Sequence, residues 1–334
     1  MPGAEEDDVT DSHRIGQGRD SAARRLGRSL TPRRIGVGVA VILGLALLYY
    51  PVGMALMHTI DDDPAYFADT PVAQTRSRAI AAATALVDRE INEHSWTAND
   101  PFFLPSAALD NMPNFQQGIV AALARFAVEA RDQLGRTRGS SQVDRDLERA
   151  ASLLQYAGDV WVWDPSVSWL PTASSEAQYT SARDALESYN RRLEQGAAVF
   201  DRRADNLIAT LDRITADLGS ASAKIDDRLA ENAPILFDFV SDDIFYRNKG
   251  LLYGYYILLR ELGRDYEALI VERRLDTAWR QMLHSFEEAA TLQPIVVVNG
   301  APSSQMLPSH LASQGFFLLR ARVQVREVEN ILLK

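Results

Sequence analysis

The chain has 334 residues, 46% hydrophobic and 24% charged, with a net charge of −10 and no cysteine. That length and balance suit one large or two modest globular domains and exclude a mainly disordered chain and a disulfide scaffold. The acidic balance argues against general nucleic-acid binding, whose footprint is basic.

Residues 1–34 carry seven Arg and six acidic residues. A short mixed-charge segment cannot bury a core, and it reads as a disordered cytoplasmic tail. Residues 35–57, IGVGVAVILGLALLYYPVGMALM, hold no charge over 23 positions. About 20 apolar residues at ~1.5 Å rise cross a bilayer core, and helix is the form that satisfies the backbone in lipid. Tyr49 and Tyr50 suit an interface belt, and Pro51 is expected to kink or end the span. Gly36, Ala40 and Gly44 place small residues on one helix face, which would let a second copy approach.

Flanking charge sets the expected topology. Arg19, Arg24, Arg25, Arg28, Arg33 and Arg34 precede the span, whereas Arg76 follows it among Asp61, Asp62, Asp63 and Asp69. The positive-inside rule then leaves the N-terminus in the cytoplasm and puts residues 58–334 outside the inner membrane, in the periplasm of a Gram-negative cell. With no small-residue cleavage signature after it, the span reads as an uncleaved signal anchor.

The exported part reads as an all-α bundle. Residues 72–93 carry a helical stripe of Ile80, Ala83, Leu86, Val87 and Ile91. Asn111–Asn114 reads as a turn before a helix from Phe115 to Leu134. Ser141 is the expected cap of the next helix, with Leu147, Leu154 and Ala157 on its inner face. Residues 176–219 step from Tyr179 to Leu218 at intervals of three or four without a miss, which predicts one long heptad-patterned helix. Its stripe must lie on a helix of the same chain or of a second copy. Further helices are expected at 240–262, 265–291 and 309–332. PIVVVNG, from Pro294 to Gly300, is the single stretch that reads as a strand or an extended buried linker.

The chain lacks G-x-S-x-G, Walker, G-x-G-x-x-G and H-E-x-x-H motifs, so no catalytic, cofactor-binding or metal-ligating residue is assigned. A candidate surface remains. His94, Asp100 and Asp110 lie in a long Pro- and aromatic-rich loop, where an imidazole and carboxylates would suit a metal or a base. Packing of that loop by Trp96, Phe102, Phe103 and Phe115 is the plainer reading. Trp163 and Trp169 would stack on glycan or sit among headgroups if exposed; sealing a loop is again the plainer role. Asp242 and Asp243 are adjacent acids at the start of a helix. Cap residues are the expected role, and a glycosidase carboxyl pair is the sharper one. Gly250 and Gly254 predict a close helix crossing.

NDPFFLPSAALDNMPNFQQGI (99–119), RADNLIATL (203–211) and SDDIFYRNKGLLYGYYILL (241–259) resemble the bacterial proteins catalogued as domain of unknown function 2333. The resemblance extends from about residue 35 onward. It implies a single-pass inner-membrane protein of Gram-negative bacteria and no activity. The expected partners are the lipid bilayer and unidentified envelope proteins, not nucleic acid. Self-association through Gly36, Ala40 and Gly44 or through the 176–219 helix is a further expectation. Three functions compete: a non-enzymatic envelope scaffold, an envelope glycan hydrolase, and a ligand-sensing domain with a pocket of Tyr and Phe from residues 237–256.

Overall fold

A computed structural model describes residues 31–135, 143–163, 169–231, 238–294, 296–300 and 307–334. Residues 1–30 of the expected tail, Ser141 and the loop residues 164–168 lie outside these residues, and the last three tail residues, Pro32, Arg33 and Arg34, are helical. Among the described residues the secondary structure is helical, and the all-α expectation holds. The chain divides into two units between Ala55 and Leu56.

The first unit contains most of α1 (Pro32–Met57), which runs on through Pro51. None of its residues is buried, and Leu47 and Leu56 stand 76% and 79% exposed. Among the described residues it is the one helix long and apolar enough to cross a membrane, and it lies near the N-terminus, where a signal sequence also falls.

The second unit is built from nine helices among its described residues: α2 (Arg78–Asp88), α3 (Asn111–Glu129), α4 (Arg145–Leu154), α5 (Ser175–Glu194), α6 (Ala204–Ala230), α7 (Phe239–Asp265), α8 (Glu267–Glu272), α9 (Asp276–Ala290) and α10 (His310–Leu332). α7 is the central rod, with Tyr253, Tyr255, Leu252, Ile257 and Leu259 all fully buried. It packs on α2, α3 and α9. α4 lies on α3 and α5, and α10 closes the other side against α6 and α9.

The crossing of α3 and α7 rests on glycines. A methyl group at Gly250 would come within 1.9 Å of the Phe115 carbonyl oxygen, and one at Gly118 within 2.2 Å of the Arg247 carbonyl oxygen. Bare backbone therefore meets bare backbone, as the Gly250 and Gly254 spacing predicts.

The long 176–219 helix is not continuous. α5 stops at Glu194, Gly196 adopts φ +70°, and α6 begins at Ala204. A glycine in the left-handed region just past a last turn holding Arg191 and Arg192 is a helix stop. The apolar stripe survives the break because Phe200, in the non-helical link, is itself buried beside Tyr266. Each half packs within the chain, α5 on α2 and α4, α6 on α10.

Smaller boundaries also shift. Asn111–Asn114 is the first turn of α3, capped by Asp110, and not a turn before it. Asp144 caps α4, whose inner face is Leu147, Ala150, Ala151 and Leu154, while Ala157 lies exposed beyond its end. α2 and α3 each finish in a π turn, Arg89–Glu93 and Ala130–Leu134. Within PIVVVNG the described residues make an isolated bridge, Asn299 to Ser309, and no strand.

Candidate functional site

Three of the carboxylates singled out by sequence come together where α3 and α7 begin. Asp110 caps α3 by accepting from the Asn111 amide at 2.9 Å. Asp238, not Asp242 or Asp243, caps α7, accepting from the Ser241 amide at 3.3 Å and paired with Arg228. Asp242 lies in the first turn. Asn114 ties the two helix starts together, donating to Asp243 Oδ1 at 2.7 Å and to the Asp110 carbonyl at 3.0 Å.

Burial raises the Asp242 carboxyl to about 7, and the neighbouring charges of Asp110, Asp243 and Asp238 add to the effect. Asp243 is raised for the same first reasons, burial and then Asp110, with the Asn114 bond opposing. A carboxyl that exchanges its proton near neutrality is suited to acid–base work or to a pH response. Among the described residues no group of three or more His, Asp or Glu is placed to hold a metal ion.

The other candidates do not join this cluster. His94 faces Asp61 at 3.9 Å and Glu90 at 3.8 Å. Asp100 accepts a hydrogen bond from the Ser106 hydroxyl; burial raises its carboxyl while that bond opposes the rise. Trp163 and Trp169 are 44% and 81% exposed, so neither seals its loop. Trp96 does pack, with its indole donating to the Gly158 carbonyl.

A larger polar assembly was not read from the sequence. Asp61, Asp62 and Asp63, expected as flanking charges, are seated on the body of the second unit. The Lys249 ammonium, 1% exposed, donates to Asp62 at 2.6 Å and to the Ala290 and Leu292 carbonyls at 2.8 and 2.7 Å. All three of its protons are thereby used. Burial lowers the Lys249 pKa and Asp62 opposes the shift. Arg89, equally buried, donates to Glu90, to the Tyr253 hydroxyl and to the Asp61 carbonyl, with the Tyr66 ring 4.5 Å away. The Tyr253 hydroxyl in turn donates to the Asp63 carbonyl at 2.9 Å.

Further along, Arg260 donates to the Pro64 and Tyr66 carbonyls, Arg264 to Ala68 and Arg78 to Thr70. The fully buried Glu261 binds these three arginines together, at 2.6 Å to Arg78, 2.8 Å to Arg260 and 3.3 Å to Arg264. Lys249, Tyr253, Arg260 and Arg264 recur at intervals of four, seven and four, so they share one face of α7. That face holds the main chain of residues 61–70, a strap linking the end of α1 to α2. A rare lysine directly before the apolar run at 250–259 is the signal available in the sequence, which has three lysines against 32 arginines. Its partners lie too far along the chain for spacing to reveal.

The family model described as "Uncharacterized protein conserved in bacteria (DUF2333)" matches residues 57–233, just over half of the chain. The chain belongs to this family. The matched stretch takes in the strap and the 99–119 and 203–211 motifs, and it stops short of the 241–259 motif, so the resemblance is narrower than the motifs implied. No curated protein and no solved structure matches the chain.

Proposed function

We propose that this DUF2333 protein is a single-pass protein of the bacterial inner membrane, with its tail in the cytoplasm and residues 58–334 in the periplasm. It works there as a scaffold that binds a partner protein and not as an enzyme. The apolar, uncovered surface of α1 and the arginine-rich flank before it support the anchor and its direction. The observation that carries the scaffold reading is the strap. Residues 61–70 are fixed by buried Lys249, Arg89 and Glu261, and just before them the Thr59 amide donates to Met112 Sδ at 3.3 Å and Ile60 packs on the core. A segment that is already ordered loses little freedom on docking, which suits a surface that binds a partner.

Alkaline phosphatase joined after Lys334 tests the topology, and activity is expected. Photo-crosslinking from exposed positions in intact cells tests the scaffold role and is expected to give a discrete heteromeric product. An inactive reporter removes the periplasmic address, and monomer alone at every position removes the scaffold.

The raised Asp242 carboxyl beside Asp110 and Asp243 supports a second reading, an envelope glycan hydrolase. Purified sacculi incubated with the full chain would then release soluble fragments, and Asp242→Asn would abolish the release. The sensing alternative draws no support from Phe245, Tyr246, Tyr253 and Tyr255, which are buried in the core.

A further inference from the structure

Against the acidic balance of the whole chain, one groove is rich in positive charge. It has a volume of about 970 Å³ and lies between the chain entering α2, the last turn of α7 and the outer side of α9. Six arginines line it, Arg76, Arg78, Arg202, Arg260, Arg264 and Arg280, against three acids, Asp265, Glu267 and Asp276. Asp265 is already engaged: it accepts from the Ser77 hydroxyl and from the Arg78 and Ala79 amides.

Arg76 is paired with Glu187 and Glu194 at 3.3 and 2.8 Å, and the other five arginines fall into two sets. Arg78, Arg260 and Arg264 fan out from the buried Glu261 carboxylate, which holds three guanidinium groups side by side at the cost of a single negative charge. Arg202 and Arg280 are exposed, and their side chains bond only backbone carbonyls, those of Arg76 and Asp276. Two donors at the groove are also unspent. Arg78 Nη2 and the Nε1 of Trp279, a residue 4% exposed, have no hydrogen-bond partner.

We propose that this groove binds an organic phosphate. Guanidinium forks match phosphate oxygens two at a time, and several forks converging from different elements suit a tetrahedral dianion better than a single carboxylate. The volume exceeds what a bare ion fills, and Val72, Ile270 and Leu283 on the same walls offer apolar contact to the attached organic part. A soluble phosphate ester and an anionic phospholipid headgroup carry the same chemistry. The site stands whichever side of a membrane the domain occupies.

The test uses the full chain in phosphatidylcholine nanodiscs. Hydrogen–deuterium exchange over residues 72–78 and 263–283 is followed while glycerol phosphate is added, with sodium chloride at matched ionic strength as the control for screening. A parallel sample in phosphatidylglycerol nanodiscs receives no soluble phosphate. Saturable protection by glycerol phosphate alone assigns a soluble ester. Protection in phosphatidylglycerol alone assigns a headgroup, and protection in both assigns the shared phosphate. Arg202→Glu with Arg280→Glu is expected to weaken whichever protection appears by about tenfold or more, with the unliganded melting curve unchanged. Protection equal to that in sodium chloride, protection indifferent to the double variant, or none in either arm overturns the proposal.

Discussion

Lys249 and Asp62 stand 187 residues apart in the chain and 2.6 Å apart in space, and both are largely withdrawn from water. A buried pair of this kind is costly to break, because the surviving partner keeps its desolvation penalty without its counter-charge. Lys249→Met should destabilise the second unit by about 3–5 kcal/mol, since Asp62 loses its counter-charge and keeps only the neutral Gln293 amide, and the Ala290 and Leu292 carbonyls lose the ammonium. Thermal unfolding of the full chain in neutral detergent, followed by far-UV circular dichroism, measures the loss. Limited proteolysis should show new cleavage between residues 58 and 70. Intact protection of that stretch in the variant would mean that Lys249 does not hold the strap.

Asp242 gives a pH dependence of known sign. Its folded-state value of about 7 lies above the ordinary 3.8, because burial and the charges of Asp110, Asp243 and Asp238 disfavour the ionised form. Below pH 3.8 the group is protonated in both states and costs nothing. As pH rises from there through 7 the unfolded chain ionises first, and stability is progressively lost. Asp242→Asn removes that loss and should stabilise the protein at pH 8 by on the order of 1–2 kcal/mol, a figure reduced for solvent screening of a half-buried group. At pH 4 the variant and the natural chain should melt within a degree or so of each other. A difference in melting temperature that stays constant from pH 4 to pH 8 would show that Asp242 ionises normally.

The α3–α7 crossing makes a steric prediction. A Cβ at residue 250 meets main-chain atoms of Phe115 and Ile119, which cannot rotate out of the way. Gly250→Ala should therefore lie at the upper end of the about 1–3 kcal/mol typical of overpacking, although alanine favours helix. Gly36→Ala, where nothing lies within 4 Å, is the matched control and should leave the melting curve unchanged. Equal behaviour of the two variants would show that the helices sit farther apart.

Some of this architecture was legible in the residues and some was not, for identifiable reasons. α1 and the span of α10 follow from local pattern, and the glycine pair predicts the crossing because close approach leaves no other choice of residue. The break at Gly196 is hidden in the sequence because Ala197 and Phe200 keep the period in phase across the link, where Phe200 is buried and Ala197 is exposed. Periodicity reports burial, and helix only indirectly. The acids at 242 and 243 do lie at a helix start, as the pattern predicts, and the cap is Asp238. The strap was invisible because its recognition runs through backbone carbonyls, which carry no sequence signature, and through cations nearly 200 residues away. Gly196→Ala supplies a check on the break. At φ +70° an alanine should cost about 1 kcal/mol and should not fuse α5 to α6. Unchanged stability would place Gly196 outside the left-handed region.

Glu261 joins the strap to the arginine groove, and its charge is the quantity to vary. The carboxylate is fully buried and shared by Arg78, Arg260 and Arg264, whose side chains are 20%, 11% and 42% exposed. Glu261→Gln keeps the shape and removes the charge, leaving three neighbouring guanidinium groups with no carboxylate among them. Because those groups are partly hydrated, the expected loss is about 2–3 kcal/mol and not the full cost of an isolated buried charge. The same change leaves the groove more positive, so phosphate should restore stability to the variant to a greater extent than it stabilises the natural chain. Melting temperatures of both proteins across a phosphate series, each against sodium chloride at equal ionic strength, separate the two effects. A variant that melts like the natural chain would show that Glu261 does not hold the arginines. A loss that phosphate and chloride repair equally would show that it does, through charge alone, with no phosphate bound in the groove.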